Sequence, residues 1–375
     1  IEFIDYLCMM PILEKIVIQD FRNIELQELS FSPKINCISG GNGEGKTNLL
    51  DAIWYLSMTK SAFNGSDKFN FRHGCDSFSL MGAYSMPSGV SSRFSISVSS
   101  TGEKRLKRDD KPYDRLSAHI GQLPIVMVSP ADTALISESG EERRRFVNLV
   151  LSQLDQEYMT ALQQYNRLLL QRNKLLKDGF ADEEYLDVID QRMEDLSEPI
   201  FKARQAFCEN ILPYTRDYYD RICSGREQID IQYRSDLSRD SLGNLFRESR
   251  ERDRLLKYTS CGIQRDDFLF SINSMPIRYC GSQGQKKSFL VALKFSQYDV
   301  MGKTCRTVPT LLLDDLFDKF DPHRVENLLS IVSDKAFGQI FITDPDISRT
   351  RAIVDSLASE RAYFIAKGGT FHRDE

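Results

Sequence analysis

Residues 35–53 read INCISGGNGEGKTNLLDAI. The apolar run from Ile35 to Ile38 has the pattern of a buried strand and stops at Ser39-Gly40-Gly41. From Lys46-Thr47 onward, Leu49, Leu50, Ile53 and Trp54 recur at helical spacing. Between strand and helix lies Gly40-x4-Gly45-Lys46-Thr47, the phosphate-binding loop pattern in its strand–loop–helix context. The chemistry requires those residue types. Glycines let backbone N–H groups turn inward around an anion, and a helix N-terminus adds partial positive charge. Gly40, Gly41, Asn42, Gly43, Glu44, Gly45, Lys46, Thr47 and Asn48 are the expected nucleotide contacts. Lys46 would reach the β- and γ-phosphates of ATP, and the Thr47 hydroxyl would ligate Mg²⁺.

The rest of the chain fits a two-domain P-loop protein. Its 375 residues suffice for two cores, and 41% hydrophobic with 27% charged residues is ordinary for a globular protein. No window reaches the apolar length of a membrane helix, and no basic segment precedes an apolar one at the start, so membrane partners and a secretory signal are not expected. Met9 or Met10 looks like the natural start, with residues 1–9 a non-native or upstream leader. The eight cysteines are scattered singly, without CxxC pairs, which argues against zinc and a disulfide framework and for a cytoplasmic protein. A net charge of −5 leaves any nucleic-acid binding to local basic patches.

Residues 10–38 alternate as strands, and Pro33 marks the turn into the P-loop strand. Residues 78–99 suggest antiparallel strands, and Glu103 to Leu116 a hairpin around Asp109-Asp110. From about Asp132 to Leu256 helical spacing dominates. Val147, Val150, Leu151, Leu154, Tyr158, Leu162, Tyr165 and Leu169 step along one predicted helix. A second runs from about Asp182 to Ile211, kinked or divided at Pro199. Strand–helix alternation returns from Ser260. The expected fold is therefore α/β: a head of mixed sheet plus antiparallel strands from residues 10–129 and 258–375, with a mainly helical domain, 130–257, inserted.

A P-loop needs a metal-handling acid at the end of a neighbouring parallel strand. Leu311-Leu312-Leu313-Asp314-Asp315 supplies it: Asp314 would hold Mg²⁺, and Asp315 would orient or deprotonate the attacking water. Some thirty residues upstream, Ser282-Gln283-Gly284-Gln285 precedes an amphipathic helix, a second anion-binding N-terminus.

That combination is the ATP-binding-cassette arrangement, and in detail the chain resembles the RecF family of bacterial recombination and gap-repair ATPases related to SMC proteins. The resemblance runs from Met10 to about residue 370. It includes Asp20-Phe21-Arg22-Asn23, GGNGEGKTN, Ser129-Pro130-Ala131-Asp132, Glu142-Arg143-Arg144-Arg145-Phe146, Gln171-Arg172-Asn173, Arg252-Asp253-Arg254, Gly262-x-x-Arg265-Asp266-Asp267, SQGQ and LLLDDLFDKFD. It implies that ATP pairs two heads face to face, with Ser282, Gln283, Gly284 and Gln285 completing the partner's site in trans. It also implies a D-loop at Asp318 and Asp321, a γ-phosphate switch at Thr343, and Arg22 and Asn23 near the nucleotide. The implied task is repair of gaps and stalled forks, loading recombinase with RecO/RecR-type mediators. There are departures: Gln283 replaces the usual arginine, Gln264 the usual histidine, and Val126 or Met127 stands where other cassettes place a switch glutamine. Aspartate in place of glutamate at 315 suggests slow hydrolysis.

Candidate DNA contacts are Lys104, Arg105, Lys107 and Arg108, then Arg143, Arg144 and Arg145, with Arg172, Lys174 and Lys177 a third group. Salt-dependent binding of double-stranded, gapped or junction DNA would follow. Arg143 to Arg145 could instead pair with Glu138, Glu141 and Glu142. Two rivals stand beside the cassette: a P-loop phosphotransferase acting on a small molecule, and another SMC-like or transporter-type head. The first gives no account of SQGQ at its spacing, and the N-terminal DFRN segment counts against a transporter subunit.

Overall fold

The computed structural model describes residues 10–179, 183–225, 227–305, 307–316, 320, 322–334, 337–355 and 360–374. The leader assigned to residues 1–9 lies outside them. Among the described residues no helix is long and apolar enough to cross a membrane.

The chain divides into two compact units. The first comprises residues 1–133, 221–224 and 294–375, and the second 134–220 and 225–293. Two sheets build the first. Strands β1 (Ile12–Phe21), β2 (Ile24–Ser30), β4 (Ser77–Ser85), β5 (Ser91–Ser99), β6 (Lys104–Arg108) and β7 (Lys111–Pro112) form an antiparallel sheet of order β2-β1-β4-β5-β6-β7. The other has the order β15-β14-β3-β13-β12-β8 and contains β3 (Ile35–Ser39), β8 (Ile125–Val128), β12 (Thr310–Leu313), β13 (Ile340–Asp344), β14 (Arg361–Lys367) and β15 (Thr370–Asp374). It is parallel except for the β14–β15 hairpin. Every residue of β3, β8, β12 and β13 is buried, which explains their mainly apolar spelling: a parallel strand covered on both faces has no solvent side to mark with alternating polar residues.

Helix α1 (Lys46–Met58) packs against strands of both sheets. Leu49, Leu50, Ile53, Trp54, Leu56 and Met58 are all buried, so the helix is apolar nearly all round rather than along one stripe. Each such side chain contributes roughly 1.5–3 kcal/mol by burial. Phe21, Tyr55 and Phe78 meet edge-to-face, with centroids 5.1–6.0 Å apart, and fix α1 against the antiparallel sheet.

The second unit holds α2 (Ala134–Ser137), α3 (Gly140–Leu154), α4 (Gln156–Asp178), most of α5 (Glu183–Cys223), β9 (Ile229–Arg234), α6 (Leu242–Leu256), β10 (Asp267–Ile272), β11 (Met275–Pro276), α7 (Ile277–Cys280) and the start of α8 (Gln283–Cys305). Helices α9 (Pro322–Asp334) and α10 (Ile347–Val354) return to the first. The apolar steps from Val147 to Leu169 span two helices, because Asp155 leaves the helix and caps α4, accepting the amides of Glu157 and Tyr158. Pro199 does not divide its helix: α5 runs through both Pro199 and Pro213. The second unit also extends past the expected boundary at 257. Strand β9, spelled within the helical block, pairs with β10 over six residues and so draws 258–293 to the helices.

Candidate nucleotide-binding site

The phosphate-binding loop is made by backbone. Gly40 leaves β3 at φ +156°, where a Cβ would stand 2.5 Å from the Ala366 carbonyl oxygen. Gly43 and Gly45 follow at φ +85° and +106°, left-handed values that strain any side chain. Gly45 caps α1, and no side chain caps its first amides. Those amides and the positive helix end form a cradle for an anion. The Lys46 ammonium lies across the loop, donating to the carbonyls of Gly40 (2.7 Å) and Gly41 (3.0 Å).

The loop is braced from two sides. The Glu44 carbonyl accepts the Gly369 amide at 2.9 Å, and its carboxylate accepts the Gly368 amide. Gly368 and Gly369, at φ +59° and +84°, form the turn between β14 and β15 and are not among the residues singled out from the sequence. A Gly-Gly pair between two alternating stretches was the available signal. On the other side, Arg22 at φ +54° donates to Asn48 Oδ1 (2.8 Å), Asp51 Oδ2 (2.5 Å) and Ser61 Oγ (2.9 Å). Burial pushes the Asp51 carboxyl pKa up, opposed by the Arg22 guanidinium. Asn48 Nδ2 donates to Asn23 Oδ1 at 2.7 Å. Arg22 and Asn23 therefore stand beside the loop as braces of its helix.

Asp314 follows β12. Thr47 Oγ1 donates to its two carboxylate oxygens at 3.1 and 3.0 Å, and Thr343 Oγ1 donates to Oδ1 at 2.7 Å. The Asp315 amide donates to that same Thr343 hydroxyl at 3.0 Å, with Asp315 at φ +44°. The acid strand was expected beside the P-loop strand, but β13 runs between them and supplies Thr343. Burial pushes the Asp314 carboxyl pKa up, the hydroxyls of Thr343 and Thr47 oppose the rise, and the Asp315 charge adds to it. A hydroxyl and a carboxylate converging in this way suit a hard cation that shares its remaining positions with phosphate oxygens and water. Mg²⁺ fits here. Among the described residues no group of three or more His, Cys, Asp or Glu could hold a metal without such help.

Ser282 to Gln285 form a reciprocal capping box at the start of α8. Gln285 Oε1 accepts the Ser282 amide at 2.6 Å, and Ser282 Oγ accepts the Gln285 amide at 3.2 Å. Ser282 and Gln283 are exposed, and Gly284 is half-buried. Gln264 is engaged locally, accepting from Tyr165 Oη at 2.6 Å and donating to the Cys261 carbonyl at 2.6 Å. Asp318 and Asp321 lie outside the described residues.

The basic groups fare unequally. Arg143 is buried, forked onto Asp267 at 2.8 and 3.1 Å, and Arg144 donates to the Asp266 carbonyl at 2.7 Å. Arg172 is fully buried between Asp190 and Asp253, both at 2.7 Å. These charges hold the helical unit together, and as placed Arg143 and Arg172 cannot meet a DNA phosphate. Lys104 is likewise engaged, with Asp67 at 2.8 Å and the Thr59 carbonyl at 2.7 Å. Arg108 is half-buried over the Phe94 ring. Arg105, Lys107 and Arg145 are exposed, with Arg145 only loosely placed, 3.9 Å from Glu142.

An AAA domain family model matches residues 15–206. The DNA replication and repair protein RecF of Bacteroides fragilis is 42% identical over 365 residues, covering 97% of this chain and 99% of that protein. The RecF of Porphyromonas gingivalis is 40% identical over 359 residues, covering 96% and 99%. Among solved structures, the recombination mediator protein RecF with ATP, of the RecFOR pathway, superposes with a TM-score of 0.89 at 26% identity, covering 98% of each chain. An Smc head domain of Pyrococcus furiosus reaches 0.57 at 15% identity over 97% and 96%, a likeness of fold alone. A P-loop ABC-type ATPase head with a large helical insertion, matched along nearly its whole length by these relatives, places this chain in the RecF family of DNA replication and repair proteins.

Proposed function

We propose that two copies of this chain pair face to face on ATP and bind DNA in that state, and that slow Mg²⁺-dependent hydrolysis releases them. The observation that carries it is the convergence of Thr47, Asp314, Thr343 and the Asp315 amide. Thr47 and Asp314 would hold Mg²⁺, which when bound neutralises charge on the β- and γ-phosphate oxygens. Lys46 and the loop amides hold the triphosphate. Asp315 accepts a proton from water as the water oxygen bonds to the γ-phosphorus and the β–γ bridging bond breaks, leaving ADP and phosphate. Thr343 touches both acids' segments, so a change at the γ-phosphate is felt by Asp314 and Asp315 together. Ser282 and Gly284 of the partner copy would complete the site, and the family's D-loop role falls to Asp318 and Asp321.

For DNA, support comes from the outward face of the antiparallel sheet. Ser91, Arg93, Ser95, Ser97 and Ser99 alternate along β5, with Lys107 opposite Ser95 and Arg105 opposite Ser97. Short hydroxyls admit a phosphate backbone closely, and the cations meet its charge. None of these positions is aromatic, and stacking platforms are what single strands use, so the duplex parts of gapped or junction DNA fit best. Work at gaps and stalled forks in the cytoplasm with RecO/RecR-type mediators completes the proposal.

Light scattering with ATP, with ADP and without nucleotide tests it. Asp315→Asn is expected to lower turnover by at least about 100-fold, the scale of a lost general base, and to hold an ATP-bound dimer. A protein that stays single at saturating ATP and Mg²⁺, and turns over at a rate independent of its own dilution, would sink the dimer.

A further inference from the structure

The capping box of Ser282 and Gln285 does not stand alone. Gln285 Nε2 donates to Glu227 Oε1 at 2.5 Å, and the other oxygen of Glu227 accepts the Tyr219 hydroxyl. A carboxylate can only accept, so it binds the NH₂ end of the Gln285 amide and turns the carbonyl end toward the Ser282 amide. The orientation of the box is thereby chosen by Glu227.

Glu227 is itself held. It lies between the end of α5 and β9, just after Ser224 and Gly225, which turn the chain at φ +62° and +70°. The next residue is pinned to the turn between β10 and β11: the Gln228 amide donates to Asn273 Oδ1 at 2.9 Å, and the Asn273 amide donates to the Gln228 carbonyl at 2.7 Å. Tyr219, on α5, is fully buried. A hydrogen-bonded path thus joins the long helix of the second unit to the turn that would meet the γ-phosphate, through a residue remote from it in sequence. We infer that Glu227 is a positioning residue for the Ser282–Gln285 turn. It fixes the Gln285 amide so that the Ser282 hydroxyl and the α8 amides present one geometry to a phosphate held by the partner copy. This rests on the in-trans action of the turn proposed above.

The test uses the full chain and three measurements: affinity for a fluorescent ATP analogue, ATP-driven dimerisation by light scattering, and turnover. Glu227→Ala is expected to weaken dimerisation and lower kcat about tenfold, the scale of one hydrogen bond to a charged group, with nucleotide affinity unchanged. Glu227→Gln, whose carbonyl can still accept from Gln285, should recover most of the loss. A Glu227→Ala protein that dimerises and turns over like the parent overturns the inference, and so does one whose nucleotide affinity falls, since the effect would then not be confined to the turn. Ser282→Arg separates the two layers. If it blocks dimerisation while Glu227→Ala does nothing, only the role of Glu227 fails. If Ser282→Arg dimerises normally, the in-trans role of the turn falls and that of Glu227 with it.

Discussion

The phosphate-binding loop and the Ser282 turn both end in a helix N-terminus, yet they are built in opposite ways. At the first, glycines hold left-handed backbone, Gly45 caps α1 and no side chain caps the helix. At the second, Ser282 and Gln285 satisfy each other's amides and Glu227 locks the exchange. A helix start leaves four amides to be met by something. The loop leaves them for a ligand, whereas the turn spends two on itself. The loop's backbone therefore offers an anion a full set of amides, and the turn offers fewer. Such a division suits the two-copy site proposed above.

Removing the loop's charge should give the largest effect. Lys46→Ala deletes the only ammonium the sequence places in the loop, and ATP affinity is expected to fall at least ~100-fold, as when one partner of a desolvated ion pair is truncated. Titration with a fluorescent ATP analogue reads it. The comparison breaks if Ser282→Ala weakens nucleotide binding as much as Lys46→Ala does.

A smaller effect should come from the loop's outer brace. A Cβ on Gly369 would sit 2.2 Å from the Asn23 carbonyl oxygen, at φ +84°. Gly369→Ala must move either the hairpin turn or Asn23, and with it the Glu44 carbonyl that fixes the loop apex. Strained backbone and overpacking together suggest roughly 2–4 kcal/mol of lost stability, with ATP affinity reduced about tenfold in the fraction that folds. Melting curves with and without ATP separate the two. If the variant keeps parental ATP affinity, the loop's geometry is set without the hairpin, and the description of a braced cradle fails.

The two sites also differ in how legible they were. GGNGEGKT declares itself because each glycine answers a backbone demand within a few residues, and LLLDD because a strand buried on both faces must be apolar until it reaches the site. SQGQ is legible as a capped helix start for the same local reason. The braces are not local: Glu44 meets Gly368 across 324 positions, and Glu227 meets Gln285 across 58. No spacing rule links such residues. The helical unit misled in a related way. A charge run such as Arg143 to Arg145 spells a solvated face, but Arg143 is buried because Asp267, far along the chain, stands ready to neutralise it. Strand β9 was hidden for want of length, its six residues lying among helices and pairing, among the described residues, only with β10.

The smallest expected effect probes the far end of α1. His119 is fully buried, with Nε2 2.7 Å from the Leu56 carbonyl in the helix's last turn and Nδ1 3.4 Å from the Tyr113 hydroxyl. Burial pushes its pKa below the ordinary 6.5, the Arg108 charge pushes the same way, and the bond to Leu56 opposes both. The neutral ring is thus the form the fold prefers. Its contribution is complete above the unfolded value and is lost as pH falls from about 6.5 through the depressed folded value. Gln at this position can donate to Leu56 without titrating. His119→Gln should be less stable than the parent at pH 7.5, by about 1 kcal/mol for an imperfect fit, with the difference shrinking by pH 5.5 as the parent alone loses this term. Thermal melting at pH 7.5, 6.5 and 5.5 checks it. A gap between parent and His119→Gln that is constant across the three pH values would mean that the ring is held without regard to its charge, and that α1 is not anchored through a neutral imidazole.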